Sequence, residues 1–369
     1  MDAPNEAASG QKMCGLQNGP AVHRGRLRMT LRLIELVEAG HILAHQEAEA
    51  VMEELLSGHV ETPETVRLLE ALNRRPLEVQ ELAGFGRVMR RHAARVFAEG
   101  EARPANMVDT CGTGGDGSNT FNISTAAAIV VAAAGTRVAK HGNRAVSSRS
   151  GSADVLERLG VRIDLPLEQY GRAIREIGIG FLFAQVAHTA TRHAAPARKQ
   201  MGVRTVFNLL GPLTNPAGAQ SQVLGVFSAE VIDLVAATLA ELGVEHAFVV
   251  HGAGGLDEIS LAGETLVAEV HGGAVRRFTL TPEEFGVARA PLESIRGGTA
   301  AENAALIRRV LEGEAGPARD IVVVNAAAAL VAADGAANFR EAAGLASFVI
   351  SSGAAGEKLA SLAEFTSGN

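Results

Sequence analysis

The sequence predicts an α/β protein with a small all-helical domain and a large α/β domain built on a mostly parallel central sheet. Up to about residue 100, apolar residues recur at helical spacing and no run resembles a strand. Beyond it, short apolar runs alternate with helical segments. Such alternation is typical of parallel sheets covered by helices. We expect a disordered tail over residues 1–25, the helical domain over 26–100 and the α/β domain over 101–369.

The helical domain is predicted to begin with an apolar stripe of Leu31, Ile34 and Val37 that ends at Gly40. These spacings place the three side chains on one helix face. Three further helices are expected over about 44–57, over 62–74 and from residue 76.

The α/β domain is predicted from short runs rich in apolar residues. The expected strands cover residues 106–110, 136–139, 178–184, 222–227, 246–251, 265–271, 275–280 and 320–325. Helices are expected between them, for instance over 229–242 and 300–311.

The amino-acid composition argues against several classes of function. Of 369 residues, 47% are hydrophobic but only 4% are aromatic, with no Trp. Aromatic platforms for single-stranded nucleic acid are therefore nearly excluded, and a net charge of −7 argues against general nucleic-acid binding. Two cysteines cannot form a disulfide framework, and neither a membrane span nor a secretory signal is apparent. We expect a cytoplasmic protein.

A glycine-rich turn at residues 111–117 follows the first predicted strand. Gly112, Gly114 and Gly117 satisfy the dinucleotide pattern G-x-G-x-x-G, but the acid expected about 20 residues later is missing. A Walker A loop is excluded because no Gly-Lys-Ser/Thr closes the turn. Two interpretations remain, a tight structural turn and an anion site formed by backbone N–H groups at a helix N-terminus.

Two long windows lack acids. Residues 117–153 contain no Asp or Glu, although the chain average predicts about four, and residues 177–229 contain none where about six are expected. Cations, hydroxyls and amides without competing carboxylates suit a phosphorylated ligand in the first window. The second window carries cations that suit another anion, such as a carboxylate, although a solvated basic face explains any single one equally well. Its basic residues and histidines are His188, Arg192, His193, Arg198, Lys199 and Arg204.

An acidic pair, Asp257-Glu258, follows the predicted strand 246–251 and a turn rich in glycine. Carboxylates at the carboxyl end of a strand suit Mg²⁺, which binds one or two of them together with phosphate oxygens. Alone, the pair would be interpreted as an exposed acidic turn. Beside the two basic windows, a metal bridge to a phosphate explains it better. Cys111 and His141 show no nucleophile–base pattern.

Several motifs together resemble the anthranilate phosphoribosyltransferase family, over about residues 27–365. The motifs are DTCGTGGDG at 109–117, NIST at 122–125, KHGNRAVSS at 140–148, SGSADVL at 150–156, RTVFNLLGPLTNP at 204–216 and LDEI at 256–259. The resemblance implies a nucleoside-phosphorylase-like fold with the helical domain hinged to the α/β domain, joined by helices from about 190–210. It also implies a homodimer through the helical domain.

The implied reaction transfers the phosphoribosyl group of phosphoribosyl pyrophosphate (PRPP) to anthranilate in tryptophan biosynthesis, by positioning and charge neutralisation without an acid, base or nucleophile. The resemblance assigns PRPP to Gly112, Gly115, Asp116, Thr120, Asn122, Ile123, Ser124, Thr125, Lys140, His141, Gly142, Asn143, Arg144, Ala145, Val146, Ser147, Ser148 and Ser152. It assigns anthranilate to Gly112, Asn143 and Arg198, with Arg198 as the carboxylate partner. It assigns Mg²⁺ to Ser124, Asp257 and Glu258.

Two departures and two alternatives accompany the resemblance. Many relatives have His-Pro where this chain has His188-Thr189, and an acid in the turn that here reads Ala253-Gly254-Gly255. A pyrimidine nucleoside phosphorylase shares the implied fold, but Asn143 and the Asp257-Glu258 pair favour the anthranilate enzymes. A non-catalytic nucleic-acid-binding homologue should be basic, whereas this chain is acidic.

Overall fold

The computed structural model describes residues 20–145 and 149–368. The α-helices are α1 (Pro20–Glu38), α2 (His45–Leu56), α3 (Thr62–Asn73), α4 (Val79–His92), α5 (Ile123–Ala133), α6 (Ser152–Arg158), α7 (Leu167–Glu176), α8 (Ala184–Ala187), α9 (Ala195–Met201), α10 (Phe207–Leu213), α11 (Ile232–Glu241), α12 (Pro282–Phe285), α13 (Ala300–Leu311), α14 (Pro317–Ala332), α15 (Phe339–Ser351) and α16 (Ala354–Ser367). The strands are β1 (Met107–Asp109), β2 (Arg137–Gly142), β3 (Ile179–Phe183), β4 (Ser221–Gly225), β5 (His246–Gly252), β6 (Thr265–His271) and β7 (Ala274–Leu280).

The strands form one seven-stranded sheet in the order β3-β2-β1-β4-β5-β6-β7. The first five in this order are parallel, whereas β6 and β7 pair antiparallel. The predicted α/β class with a mostly parallel sheet is therefore confirmed. The chain runs from β1 through β2 to β3 on one side and then returns to β4 on the other side of β1. The carboxyl ends of β1 and β4 thus form a topological switch point, where open α/β sheets bind ligands.

Two hydrophobic cores cover the two faces of the sheet. Along β5, Ala247 and Val249 lie in one core, whereas Phe248 and Val250 lie in the other. The alternation follows from strand geometry, which points successive side chains to opposite faces. Burial on both faces also explains the continuous apolar run of residues 247–250 within β5.

The helical region packs on one face of the sheet. Helices α1–α4 share a core with α11 and with alternate residues of β4, β5 and β6. Ala194, Ala197, Phe207 and Leu210, from in and around α9 and α10, belong to the same core. This packing is consistent with helices near residues 190–210 joining the helical domain, and that division of the chain stays a prediction.

Arg90 joins α4 to the ends of two other helices. Its Nε donates to the Leu213 carbonyl at 3.0 Å, and its Nη1 donates to the Leu242 carbonyl at 2.8 Å. Leu213 is the last residue of α10 and Leu242 caps α11, so a cation lies at two helix C-termini, where it is favourable. Burial lowers the pKa of Arg90 to about 10, which leaves it charged at neutral pH.

Two predictions of local structure are wrong. Residues 320–325 form part of helix α14, because the Gly316-Pro317 start and the Ala-rich continuation favour a helix buried on all sides. Its β-branched run Val322-Val323-Val324 produced the strand prediction. The predicted tail is helical over residues 20–25, since α1 begins at Pro20; residues 1–19 lie outside the described residues.

Across the described residues 20–145 and 149–368, no helix is long and apolar enough to cross a membrane.

Asn325 connects helix α14 to the acidic pair Asp257-Glu258. From inside the helix, its Oδ1 accepts from the Ile259 N–H at 2.9 Å and its Nδ2 donates to the Ile259 carbonyl at 3.0 Å. The side chain is 2% exposed, so these groups have no access to water. Asn325 therefore anchors the segment directly after the two carboxylates.

We expect Asn325→Ala to lower the free energy of unfolding by about 1–3 kcal/mol, because it leaves two buried backbone groups of Ile259 without partners. Chemical denaturation followed by circular dichroism measures the change. Gln169→Ala, which removes an exposed amide from α7, is the control. A loss no larger than that of the control would show that the anchor contributes nothing.

Candidate active site

The loops that follow β1, β2, β4 and β5 meet at the switch point. The Thr113 N–H donates to the Gly225 carbonyl at 2.8 Å, and the Phe227 N–H donates to Thr113 Oγ1 at 3.1 Å. The glycine turn after β1 is thereby attached to the end of β4. The crevice that open α/β sheets use for ligands is bordered by this turn.

The glycines of the turn have two separate roles. Gly114, Gly115 and Gly117 have φ of +67°, +74° and +77°, in the left-handed region that favours glycine. Gly112 instead allows close packing, since a Cβ there would lie 2.8 Å from Asp257 Oδ2. Gly225 is more constrained still, because a Cβ would lie 1.5 Å from the Asp257 carbonyl oxygen.

Asp257 and Glu258 lie directly beneath the turn. The Gly114 N–H donates to Asp257 Oδ2 at 2.8 Å, and the Ser124 N–H donates to Glu258 Oε1 at 3.1 Å. Although both side chains keep some surface open to solvent, desolvation raises the pKa of both carboxyls, and the charge of Asp116 raises that of Asp257 further. Two neighbouring carboxylates with this tendency to stay protonated favour a cation beside them.

Asp116 orders the far side of the turn. Its Oδ1 accepts from the Ser118 N–H at 3.1 Å and its Oδ2 accepts from the Asp257 N–H at 3.3 Å. A single side chain therefore holds the exit of the turn against the acidic pair.

Helix α5 begins just beyond the turn. The Ser124 carbonyl accepts from Thr110 Oγ1 at 3.0 Å, which fixes the first turn of α5 to the end of β1. Asn122 precedes the helix; its Nδ2 donates to the Ser150 carbonyl at 3.2 Å and its Oδ1 accepts from Asn303 Nδ2 at 3.0 Å. The positive end of the helix dipole at this N-terminus favours negative charge, and the Ser124 N–H already donates to the Glu258 carboxylate.

A buried network lies under the site. Asp109, at the end of β1, accepts from the His141 N–H at 3.0 Å and from Asn215 Nδ2 at 2.7 Å. Lys140 Nζ donates to the Thr110 carbonyl at 3.0 Å. Burial raises the pKa of Asp109 to about 6, while the Lys140 charge and the hydrogen bonds oppose the rise.

The end of β2 carries Lys140, His141 and Gly142 of the predicted KHGN motif, and Asn143 opens the loop that follows. Gly142 packs closely, since a Cβ there would lie 2.2 Å from Ser152 Oγ. Ser152 Oγ accepts from the Asn143 N–H at 3.1 Å, so Asn143 and Ser152 lie together as expected. The Arg144 guanidinium pairs with Asp154 at 2.9 Å and with Glu157 at 2.7 Å, both on α6. Its charge is therefore already neutralised by α6.

Ala145 follows Arg144 and is also hydrogen-bonded to helix α6. The Ala145 N–H donates to Asp154 Oδ2 at 3.0 Å. Val146, Ser147 and Ser148, which are predicted PRPP ligands, lie outside the described residues.

His141 and His188 meet edge to face, with ring centroids 5.1 Å apart. Burial lowers the pKa of both rings, that of His188 to about 4. Both imidazoles are therefore neutral at neutral pH, which agrees with a contact role for His141.

Arg198 lies on α9, with its guanidinium 5.2 Å from the centre of the Phe207 ring. No side-chain hydrogen bond or ion pair engages it among the described residues 20–145 and 149–368, and burial lowers its pKa. A partly buried cation without a counter-ion is costly, so its surroundings favour an incoming anion.

Several residues of the site were not assigned a role from the sequence. Asp109 and Asn215 belong to the buried network under the site, and Asn303, on α13, orients the side chain of Asn122. The sequence contained a signal for the first two, since both belong to the quoted motifs. Asn303 stands in an ordinary helical stretch, and no pattern distinguishes it.

Comparison with known proteins decides the family. A family model described as "Glycosyl transferase family, a/b domain" matches residues 104–356. An anthranilate phosphoribosyltransferase of Pelotomaculum thermopropionicum is 52% identical over 338 residues, which cover 92% of this chain and 97% of that protein. One of Thermomicrobium roseum is 53% identical over 330 residues, covering 89% of this chain and 94% of that protein. This chain belongs to the anthranilate phosphoribosyltransferase family.

Solved structures support the same assignment. The anthranilate phosphoribosyltransferase of Thermus thermophilus has a TM-score of 0.85 and 47% identity, covering 90% of this chain and 99% of that one. The Saccharomyces cerevisiae anthranilate phosphoribosyltransferase in complex with PRPP and Mg has a TM-score of 0.82 and 28% identity, covering 95% of this chain and 99% of that one. The resemblance to the anthranilate phosphoribosyltransferases noted in the sequence is thus confirmed.

The neutral histidine pair makes the stability of this family member depend on pH. The pKa of a histidine in the unfolded chain is near 6.5, whereas burial lowers the pKa of His188 in the folded chain to about 4. As the pH falls from about 6.5 to 4, the unfolded chain binds protons first, so the folded state loses stability over this range.

We expect His188→Gln to reduce the fall in unfolding free energy between pH 7 and pH 5, measured by denaturation at each pH. Gln169→Ala, which removes an exposed group that does not titrate, is the control and should leave the slope as in the parent chain. An unchanged slope in His188→Gln would show that this ring does not cause the acid destabilisation.

Proposed function

We propose that this chain transfers the phosphoribosyl group of PRPP to the amine of anthranilate, releasing pyrophosphate and forming N-(5-phosphoribosyl)anthranilate in L-tryptophan biosynthesis. One observation carries the proposal: the glycine turn at the switch point is hydrogen-bonded directly onto the Asp257-Glu258 pair. A phosphate-binding turn and a site for a phosphate-bound cation therefore lie together, as a diphosphate leaving group requires.

The PRPP site extends from the turn over the start of α5 to the loop after β2. Most of the site lies in the acid-free window 117–153, where backbone N–H groups, hydroxyls and Lys140 meet no competing carboxylate from their own segment, and Gly112, Gly115 and Asp116 precede that window. We assign to PRPP the residues Gly112, Gly115, Asp116, Thr120, Asn122, Ile123, Ser124, Thr125, Lys140, His141, Gly142, Asn143, Arg144, Ala145, Val146, Ser147, Ser148 and Ser152.

The donor set of the acidic pair fits Mg²⁺. Asp257, Glu258 and the Ser124 hydroxyl offer only oxygen atoms, which Mg²⁺ prefers, and the raised pKa of both carboxyls indicates a place that a cation would stabilise. When bound, Mg²⁺ supplies charge neutralisation for the pyrophosphate that leaves.

Anthranilate is assigned to Gly112, Asn143 and Arg198. The Arg198 guanidinium, which pairs with no carboxylate among the described residues, suits the carboxylate of the substrate, because an Arg–carboxylate fork fixes orientation as well as binding. The Asn143 Oδ1 accepts from the Arg144 N–H at 2.8 Å, and within residues 20–145 and 149–368 its Nδ2 is the group offered to a substrate acceptor.

Catalysis then rests on positioning and charge. The bond between the anomeric carbon and the pyrophosphate oxygen breaks with its electron pair going to pyrophosphate, the amine nitrogen bonds to that carbon, and the amine then loses its proton to solvent water. Positive charge develops on the ribose ring as pyrophosphate leaves, so preorganised N–H groups that stabilise the leaving anion lower the barrier. Holding the amine close to the reacting carbon lowers the barrier further.

A homodimer through the helical domain is part of the proposal. Met29, Leu36 and Ile42, in and just after α1, are large apolar residues that are 49%, 38% and 42% exposed. Apolar residues grouped on one helix and the loop after it suit a protein partner better than water.

The direct test follows the loss of anthranilate fluorescence when the chain, PRPP and Mg²⁺ are mixed. We expect loss only when all three are present. Phosphorolysis of thymidine or uridine, measured in parallel with inorganic phosphate, should be absent. Phosphorolysis without consumption of anthranilate would overturn the proposal.

We expect Asp257→Asn to lower the rate with PRPP and to raise the Mg²⁺ concentration for half-maximal rate by about tenfold or more, because a metal-binding charge is lost. Titration of Mg²⁺ in the fluorescence assay measures both. Asp334→Asn, at an exposed turn, is the matched control. An unchanged Mg²⁺ profile in Asp257→Asn would remove the metal assignment.

We expect Arg198→Ala to raise the KM for anthranilate by about 10- to 100-fold, the equivalent of one charge-assisted hydrogen-bonded pair, with the KM for PRPP nearly unchanged. Arg198→Lys keeps the charge but loses the two-pronged hydrogen bonding of the guanidinium, so its KM for anthranilate should lie between those of the parent chain and Arg198→Ala. Equal effects on the two KM values would contradict the assignment.

A further inference from the structure

We propose that Arg204 is a positioning residue that holds the glycine turn in the conformation that receives the pyrophosphate group of PRPP. The inference rests on the proposed function and adds a residue outside the PRPP, anthranilate and metal sets. Arg204 lies between α9 and α10, in the segment that packs with the helical region, whereas the turn belongs to the sheet region.

Between its attachments at Thr113, Gly114 and Asp116, the turn depends on glycines that favour no single conformation. Gly114, Gly115 and Gly117 all have positive φ and carry no side chain, so the free chain has many alternative conformations here. Arg204 supplies an external contact at its middle, because its Nη2 donates to the Gly115 carbonyl. The guanidinium also lies along the turn, with Nε 3.5 Å from the position of a Cβ at Gly115.

A second contact fixes the orientation of the guanidinium. Its Cζ lies 4.4 Å from the centre of the Phe227 ring, within the range of a cation–π interaction. Phe227 is bound to the start of the same turn, since its N–H donates to Thr113 Oγ1 at 3.1 Å. Arg204 therefore contacts the turn at Gly115 and packs on a ring that is attached at Thr113.

A third contact anchors Arg204 to the helical region. Asn73 Nδ2, at the end of α3, donates to the Arg204 carbonyl at 2.7 Å. The next residue begins the approach to α10, where the Thr205 N–H donates to Asn208 Oδ1 at 3.0 Å. The backbone of Arg204 is thus fixed by one region of the molecule and its side chain by the other.

The contact reaches the acidic pair through one more residue. Gly115 is followed by Asp116, which accepts from the Asp257 N–H at 3.3 Å. A displaced Gly115 carbonyl would also displace Asp116. Arg204 therefore orders the backbone N–H groups of the turn and the approach to the proposed cation site together.

Steady-state kinetics with both substrates test the role. We expect Arg204→Ala to raise the KM for PRPP about tenfold, the effect of one charge-assisted hydrogen bond, with the KM for anthranilate within about twofold. Arg204→Lys keeps a donor and should recover part of the loss. Asn73→Ala should act in the same direction but less, and the double variant should lose less than the sum, because the two residues act through one contact.

Hydrogen exchange on the ligand-free chain supplies a readout independent of activity. We expect faster exchange over residues 112–118 in Arg204→Ala, with exchange in β1 and α14 unchanged. Arg74→Ala is the matched control, since Arg74 is exposed, adjoins Asn73 and pairs only with Glu70 among the described residues. It should change neither the KM for PRPP nor the exchange of the turn.

Unchanged exchange of the turn in Arg204→Ala, or equal changes in both KM values, would overturn the inference and leave Arg204 a general stabilising residue. An inactive parent chain would contradict the proposed function instead, and the exchange measurement would still decide whether Arg204 holds the turn.

Discussion

The buried carboxylate of Asp109 is the constraint around which the site is built. An ionised carboxylate without partners would be very costly in this position, and Lys140, the Asn215 amide and the His141 N–H offset that cost. These partners come from β2 and from the segment after α10, so one group at the end of β1 ties three parts of the chain together. The glycine turn begins two residues after Asp109, and the KHGN motif supplies two members of the network, Lys140 and His141.

Sequence patterns predicted much of the fold because apolar residues recur clearly at helical spacing in the helices and form short runs in the strands. Seven of the eight expected strands are present, including the short β1, which its position before the glycine turn made recognisable. The eighth, at 320–325, failed because β-branched residues favour a strand, while a helix buried on all sides tolerates them equally. Periodicity alone cannot separate these two cases in a short apolar run.

The anion-binding character proposed for the site has a different origin in the sequence. Acids are absent from windows where chance would place several, and that depletion favours anionic ligands. Contacts that cross between distant segments left no such signal. The approach of Gly225 to Asp257 and the hydrogen bond from Asn303 to Asn122 depend on the folded arrangement, and single glycines and asparagines are common enough that neither stood out.

The attachment of α4 through Arg90 has a consequence for how the two regions stay together in different solutions. Ion pairs on the surface, such as Arg87 with Glu241, lie in water and weaken as salt screens them. Arg90 is instead largely buried between the ends of α10 and α11, where salt screens its hydrogen bonds less than it screens a surface pair. The attachment of α4 to α10 and α11 therefore weakens less with rising ionic strength than the surface pairs around it do.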